Sequence, residues 1–247
     1  MNDILFLTCW LNRKKCPQQG VNRSATYDQI SKWYESVHKT NTHGVIIHDC
    51  FDTDFIAKHT TDHVQFYKDT ATDQLTYSPN DSRYFLFSNY INNNIHDHVN
   101  KVFVTDIDVS IKQNFSHLVQ QDKIYVGSES LYNSIEDQDW CKNSSGYTYC
   151  YPDFKYWHKP MLNCGILGGY IYNVNSIIDM MIQEIIRIDP SEQELTHRGF
   201  IHAIDMPVFA QCVYTLFDDD CIMTGEPICS RFSMYEDSRD DVWLVHK

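Results

Sequence analysis

Two carboxylates, Asp106 and Asp108, stand one residue apart directly after the apolar run Val102-Phe103-Val104-Thr105. In an extended chain, residues i and i+2 share a face. Both side chains can then reach one cation, directly or through water. Hard oxygen ligands suit Mg²⁺ or Mn²⁺, which keep open positions for substrate phosphates. The chemistry this pattern predicts is metal-assisted stabilisation of a diphosphate leaving group. The plain alternative is a polar turn that ends a strand.

Two further segments carry chemistry. Asn163-Cys164-Gly165-Ile166-Leu167-Gly168-Gly169 reads as a tight glycine turn. Glycine lacks a Cβ, so backbone at Gly168 and Gly169 can approach a ligand closely, and Asn163 can hydrogen-bond a sugar hydroxyl. The spacing is not the dinucleotide-binding fingerprint. Asp205 opens an apolar helical run, where a carboxylate suits the helix N-terminus. The same residue is a candidate base, or an orienting group, for a substrate hydroxyl, with His202 a second choice.

The bulk properties narrow the partners. Twenty basic residues face 33 acidic ones, a net charge of -13. Duplex binding needs clustered Lys and Arg, and the longest basic run is Arg13-Lys14-Lys15, so nucleic acid is excluded as a partner. A phosphate-bearing substrate would be repelled unless a cation stood between, which strengthens the case for a metal. Nine cysteines without a Cys-x-x-Cys pair speak against zinc ribbons and dithiol redox sites. They read as buried free thiols in a reducing compartment, although Cys141 and Cys150 can pair. The first apolar segment, Ile4 to Leu11, is short and follows Asp3, which fits a strand better than a signal peptide. No stretch approaches the roughly 18 apolar residues of a membrane span. A soluble, cytoplasmic protein is expected.

The elements that must position these residues follow an α/β pattern. Strands are predicted at Ile4 to Leu11, Val45 to His48, Val64 to Tyr67, Lys101 to Thr105 and residues 123–126. Short continuous apolar runs suit strands covered on both faces, as in a parallel sheet. Helices are predicted at Tyr27 to Lys39, with Ile30, Trp33, Tyr34 and Val37 on one face, at Phe51 to His59, and at Ser82 to Ile91. A further helix, Ser176 to Ile188, reads as apolar nearly all round and therefore buried, and another runs from Ile204 to Leu216. Residues 139–160 read as a long loop. In such sheets ligands bind beyond the carboxyl ends of the strands, and Asp106 and Asp108 lie at such an end.

Val102-Phe103-Val104-Thr105-Asp106-Ile107-Asp108-Val109-Ser110, followed by Asn114-Phe115, resembles the Asp-x-Asp segment of GT-A glycosyltransferases. Asn163 to Gly169 resembles their Asn-(Ala/Ser)-Gly-x-x-Gly-Gly segment, and Asp205-Met206-Pro207-Val208-Phe209 resembles the Asp-Met or Asp-Gln segment that follows. The closing Trp243-Leu244-Val245-His246-Lys247 resembles the His-Lys ending of some members. Small glycosyltransferases of the chlorella-virus type are similar in size and pattern.

This resemblance implies one GT-A (nucleotide-diphospho-sugar transferase) domain over 1–247, with a mostly parallel central sheet flanked by helices. Residues 1–110 would form the nucleotide-binding half and 111–247 the acceptor and sugar half. It implies Mn²⁺ or Mg²⁺ held by Asp106, Asp108 and His246, and Lys247 on the diphosphate. Arg83 would lie near the nucleotide, where a bidentate guanidinium suits a diphosphate. Thr8, Trp10 and Asp49 would border the uracil. The implied partners are a UDP-sugar donor and a glycan or glycoprotein acceptor, in the host cytoplasm if the chain is viral. Direct displacement would invert the anomeric centre, and retention stays open. An alternative reading is a Mg²⁺-dependent phosphohydrolase of the haloacid-dehalogenase type, with Asp218-Asp219-Asp220 as its late acidic group. A third is a non-catalytic nucleotide or sugar binder.

Overall fold

The computed structural model describes residues 3–12, 22–69, 76–95, 98–129, 134–138, 141, 146–189, 203–230 and 239–246. The strands are β1 (Ile4–Trp10), β2 (His43–His48), β3 (Val64–Lys68), β4 (Lys101–Thr105), β5 (Ser110–Ile111), β6 (Ile124–Ser128), β7 (Leu162–Tyr170), β8 (Ile222–Thr224) and β9 (Leu244–Val245). The helices are α1 (Ser31–Lys39), α2 (Thr53–His59), α3 (Pro79–Asn94), α4 (Tyr147–Cys150), α5 (Ile171–Ile188) and α6 (Asp205–Leu216).

Seven strands form one sheet in the order β3-β2-β1-β4-β7-β6-β8. All pairs are parallel except those of β7, which runs antiparallel to both β4 and β6. Both faces of the sheet are covered, which is why its strands read as unbroken apolar runs. Leu7, Val45, Val102 and Val104 pack on one side with residues of α3, α5 and α6. Phe6, Ile46 and Phe103 pack on the other with Trp33 and Val37 of α1 and with Phe115 and Leu244.

Local chemistry sets the helix starts. Asp52 caps α2 by accepting from the Phe55 amide at 2.8 Å. Ser78 caps α3 by accepting from the Asp81 amide at 3.1 Å, ahead of Pro79 in the first helical position.

The structure corrects two sequence expectations. Asn163 to Gly169 is not a turn but most of β7, in the middle of the sheet. Its glycines serve packing: a Cβ on Gly168 would lie 2.1 Å from the Phe103 ring, and one on Gly169 would lie 3.1 Å from the Lys123 carbonyl. The second concerns α5, which begins five residues earlier than Ser176 and is buried on one face only. Asn173, Val174, Ile177, Ile178, Met181 and Ile185 are buried, whereas Ile186 is 54% exposed. The loop expected over 139–160 holds the single helical turn α4, with residues 139–140 and 142–145 outside the described residues.

His48, the last residue of β2, is fully buried, and its Nδ1 accepts from the Phe51 amide at 3.3 Å. Burial pushes its pKa down to about 4, with Asp49 opposing and Lys68 reinforcing the shift. The unfolded chain takes up this proton near pH ~6.5, whereas the fold resists it to about 4. The contribution is therefore lost as pH falls between those values. His48→Asn keeps an acceptor near Nδ1 without a titrating ring. Urea unfolding at pH 7 and pH 4.5 should show wild type losing about 2 kcal/mol more than the variant. Equal losses would refute this account.

Candidate active site

Asp106 and Asp108 follow β4 at its carboxyl end, as the sequence predicts. They converge by a different route, however. The chain leaves the strand in a turn closed by the Val109 amide donating to the Asp106 carbonyl at 3.2 Å. Convergence thus comes from the turn rather than from strand alternation. The turn is anchored on both sides. The Asp106 amide donates to the Gly165 carbonyl of β7 at 2.8 Å. The Trp33 indole of α1 donates to Thr105 Oγ1 at 2.8 Å.

The third member of the cluster comes from the end of the chain. β9 pairs antiparallel with β5, just beyond the turn, with Ser110 opposite Val245. Trp243 stacks on Phe115 with centroids 4.8 Å apart. These contacts hold His246 in place, 3% exposed. Its Nε2 lies 3.4 Å from Asp108 Oδ1 and 3.6 Å from Asp106 Oδ2. One ligand atom from each of the three residues falls within 4.8 Å of the others. Two carboxylates and an imidazole form a donor set suited to Mn²⁺ or Mg²⁺. Burial alone would depress His246, but hydrogen bonds to Asp106 and Asp108, and their charges, raise it to about 9. The two carboxylates thus favour a positive charge at this position.

Gly165 makes this approach possible. A Cβ there would lie 2.2 Å from His246 Cε1 and 2.8 Å from Asp106 Oδ2. Asn163, in the same strand, folds back to accept from the Gly165 amide at 2.7 Å. Its amide nitrogen donates to Glu129 Oε2 at 2.5 Å.

Arg83, from the first turns of α3, links the cluster to the helix layer. It pairs with Asp106 Oδ1 and, at 3.0 Å, with Asp205 Oδ2. It also donates to the Tyr84 hydroxyl at 3.1 Å and contacts Cys164 Sγ at 3.2 Å. Burial would raise Asp106, but the Arg83 charge, the bond and charge of His246 and the Arg23 charge together outweigh it and hold that carboxyl well below the usual range. Asp205 is 5% exposed and both its oxygens are engaged, Oδ1 by the Met206 amide and Oδ2 by Arg83 and Cys164. That placement suits an anchor for Arg83 better than a free base. Beside it, Asp81 accepts from the Ile204 amide at 3.0 Å and ties the start of α3 to that of α6. Burial first, and the Asp205 charge second, push Asp81 up to about 7.

The other expected residues scatter. Thr8 is wholly buried, and its hydroxyl has no hydrogen-bond partner among the described residues. Trp10 is 4% exposed, donates to the Ser24 carbonyl at 3.0 Å and carries Arg23 over its ring at 4.9 Å. Asp49 accepts from the Asn12 amide at 2.8 Å and so joins the loops after β1 and β2. Gly168 and Gly169 pair with Phe103 and Val102, further back along β4 than Asp106, and are not at the site. Lys247 and His202 lie outside the described residues. Cys141 and Cys150 do not form a disulfide with each other.

Sequence reasoning misses Glu129, Cys164, Tyr84, Asp81 and Arg23, whose charge reaches Asp106. Glu129 alone had a usable signal, a carboxylate just past a strand end. The phosphohydrolase alternative loses its late acidic group. Asp218 to Asp220 precede β8, whose Ile222 pairs with Ile124 at the start of β6, and Lys123 holds the Asp220 carbonyl at 2.8 Å. β6 and β4 both run antiparallel to β7, so these acids sit toward the opposite ends of the strands from Asp106.

No family model matches the chain, and no curated protein sequence is significantly similar to it. Solved structures are similar. The galactosyltransferase LgtC, in complex with donor and acceptor sugar analogs, superimposes with a TM-score of 0.56 at 13% identity, covering 98% of this chain and 86% of that one. An active-site mutant of LgtC gives 0.54 at 12% identity with the same coverage. At this identity the likeness establishes the fold, a single GT-A domain with a mostly parallel sheet flanked by helices, as expected.

Gly165→Ala should displace His246 or Asp106 and weaken Mn²⁺ binding at least about tenfold, because groups that orient metal ligands carry effects of that size. Mn²⁺ titration followed by electron paramagnetic resonance measures it. Wild-type affinity in the variant would show that the close approach at Gly165 does not shape the centre.

Proposed function

We propose that this chain is a metal-dependent glycosyltransferase that moves a sugar from a UDP-sugar to a hydroxyl of a glycan acceptor. The observation that carries this reading is the meeting of Asp106, Asp108 and His246 at the carboxyl edge of a GT-A sheet. In open α/β sheets this edge is where ligands bind. Similarity of fold to LgtC, a galactosyltransferase, supports the class of reaction.

The three residues would hold Mn²⁺ or Mg²⁺, which when bound neutralises the diphosphate of the donor and of the leaving group. The chain's own side chains do the rest. Arg83 keeps Asp106 ionised and fixes one of its oxygens, leaving the other turned toward His246. Asp205 holds Arg83 from the helix side, and Asp81 ties together the helix starts that carry the pair. The acidic surroundings disfavour a bare diphosphate and make donor binding depend on the cation. The loops after β1 and β2, joined through Asp49 and Asn12, would receive the uracil, with Trp10 and Arg23 alongside. Residues 1–110 thus form the nucleotide half, and 111–247 supply the sugar and acceptor side.

Asp108→Ala removes a ligand that is 48% exposed and bears no packing load. It should abolish Mn²⁺-dependent UDP binding in isothermal titration calorimetry and leave the fold intact by circular dichroism. Binding retained at wild-type affinity would overturn the metal assignment.

A further inference from the structure

One acidic residue at the site has no part in holding the cation. Glu129 follows β6 directly, and its amide donates to the Met161 carbonyl at 3.1 Å, beside the start of β7. It therefore stands at the same edge of the sheet as Asp106, with β7 between them. Its carboxylate is oriented from one side only. The Asn163 side-chain oxygen is committed to the Gly165 amide, so its nitrogen must face Glu129 Oε2. Oε1 has no hydrogen-bond partner and the carboxylate no ion pair among the described residues.

A partly buried carboxylate without a cationic partner is costly to keep. Burial pushes Glu129 up, and the Asn163 bond and the His246 charge only partly offset this. The His246 effect also places it within electrostatic reach of the metal-ligand group. The Asn163–Glu129 bond does not explain the charge, since a neutral amide would accept equally well. Nearby, the Tyr147 hydroxyl of α4 is buried without a hydrogen-bond partner, and the Glu129 charge reaches it too. Tyr147 is wholly enclosed, so Glu129 Oε1 is the group here left to meet a hydroxyl-bearing partner.

We infer that Glu129 binds the acceptor, its free oxygen taking a hydrogen bond from a sugar hydroxyl held in register by Asn163. The inference rests on the transferase reading above. It names a neutral, hydroxyl-rich acceptor, because an anionic one would meet the Glu129 charge. A charge-assisted bond of this kind discriminates by roughly 10 to 100-fold.

The test uses Glu129→Gln, which keeps an acceptor for the Asn163 amide and places an NH₂ where the free oxygen was. UDP release is followed with UDP-galactose and UDP-glucose in Mn²⁺, into water and into a panel of p-nitrophenyl glycosides. The expected result is a fall of about 10 to 100-fold in kcat/KM for the glycoside, with Mn²⁺-dependent UDP affinity and release into water within about twofold of wild type. Glycoside kcat/KM unchanged in the variant overturns the inference. So does UDP affinity falling in parallel, which would make Glu129 a prop for Gly165 and the metal ligands. A wild type whose UDP release no glycoside accelerates overturns the acceptor assignment while leaving donor chemistry standing. A wild type that neither binds UDP with Mn²⁺ nor releases it removes the transferase reading itself.

Discussion

Everything at this site depends on a side chain from the far end of the sequence lying against a turn near its middle. His246 and Asp106 both press on the backbone of Gly165, and any residue with a Cβ there would separate them. The two-stranded β5–β9 ladder supplies the force that brings His246 in, and the Trp243–Phe115 stack fixes its height. The main sheet supplies the opposing wall, because the Asp106 amide is bonded to the Gly165 carbonyl. The cluster is thus gripped between two sheets, and a position near the end of the sequence, which usually frays, is here among the most buried.

Charge balance is the second constraint. Asp81, Asp106, Asp108, Asp205 and Glu129 gather around a single buried guanidinium and one imidazole. Arg83 resolves the crowding by bridging Asp106 and Asp205 at once, while Asp81 stands next to them with a raised affinity for its proton. This arrangement leaves the open face negative. Such a face favours a cation, and an anion only in company with one.

Much of the fold is legible in the sequence because the sheet is covered on both faces. Val45 to His48 and Val102 to Thr105 are unbroken apolar runs for that reason. The Asp-x-Asp pair is legible because it ends such a run. β7 is not, since its glycines look like turn residues; they are needed because the Phe103 ring lies over Gly168, a contact between positions far apart in sequence. The first turn of α5 is hidden by polar residues, of which Asn173 is buried and donates to the Gln121 carbonyl at 3.0 Å. At the site, His246 is reached only through family resemblance, and Glu129, a carboxylate just past a strand end, gains a partner only through Asn163, 34 residues away. Asp205 reads equally well as a base or a cap until its bond to Arg83, 122 residues distant, is seen.

Those separations bear on how the molecule assembles. Parallel pairs such as β1–β2 and β2–β3 close modest loops, whereas Asp81 reaches the Ile204 amide across 123 residues and Arg83 reaches Asp205 across 122. Contacts of such high order cost the most chain entropy and form late. The sheet centre shares that dependence, since β1 pairs with β4 across a comparable stretch of chain, so the acidic cluster and the middle of the sheet condense together or not at all.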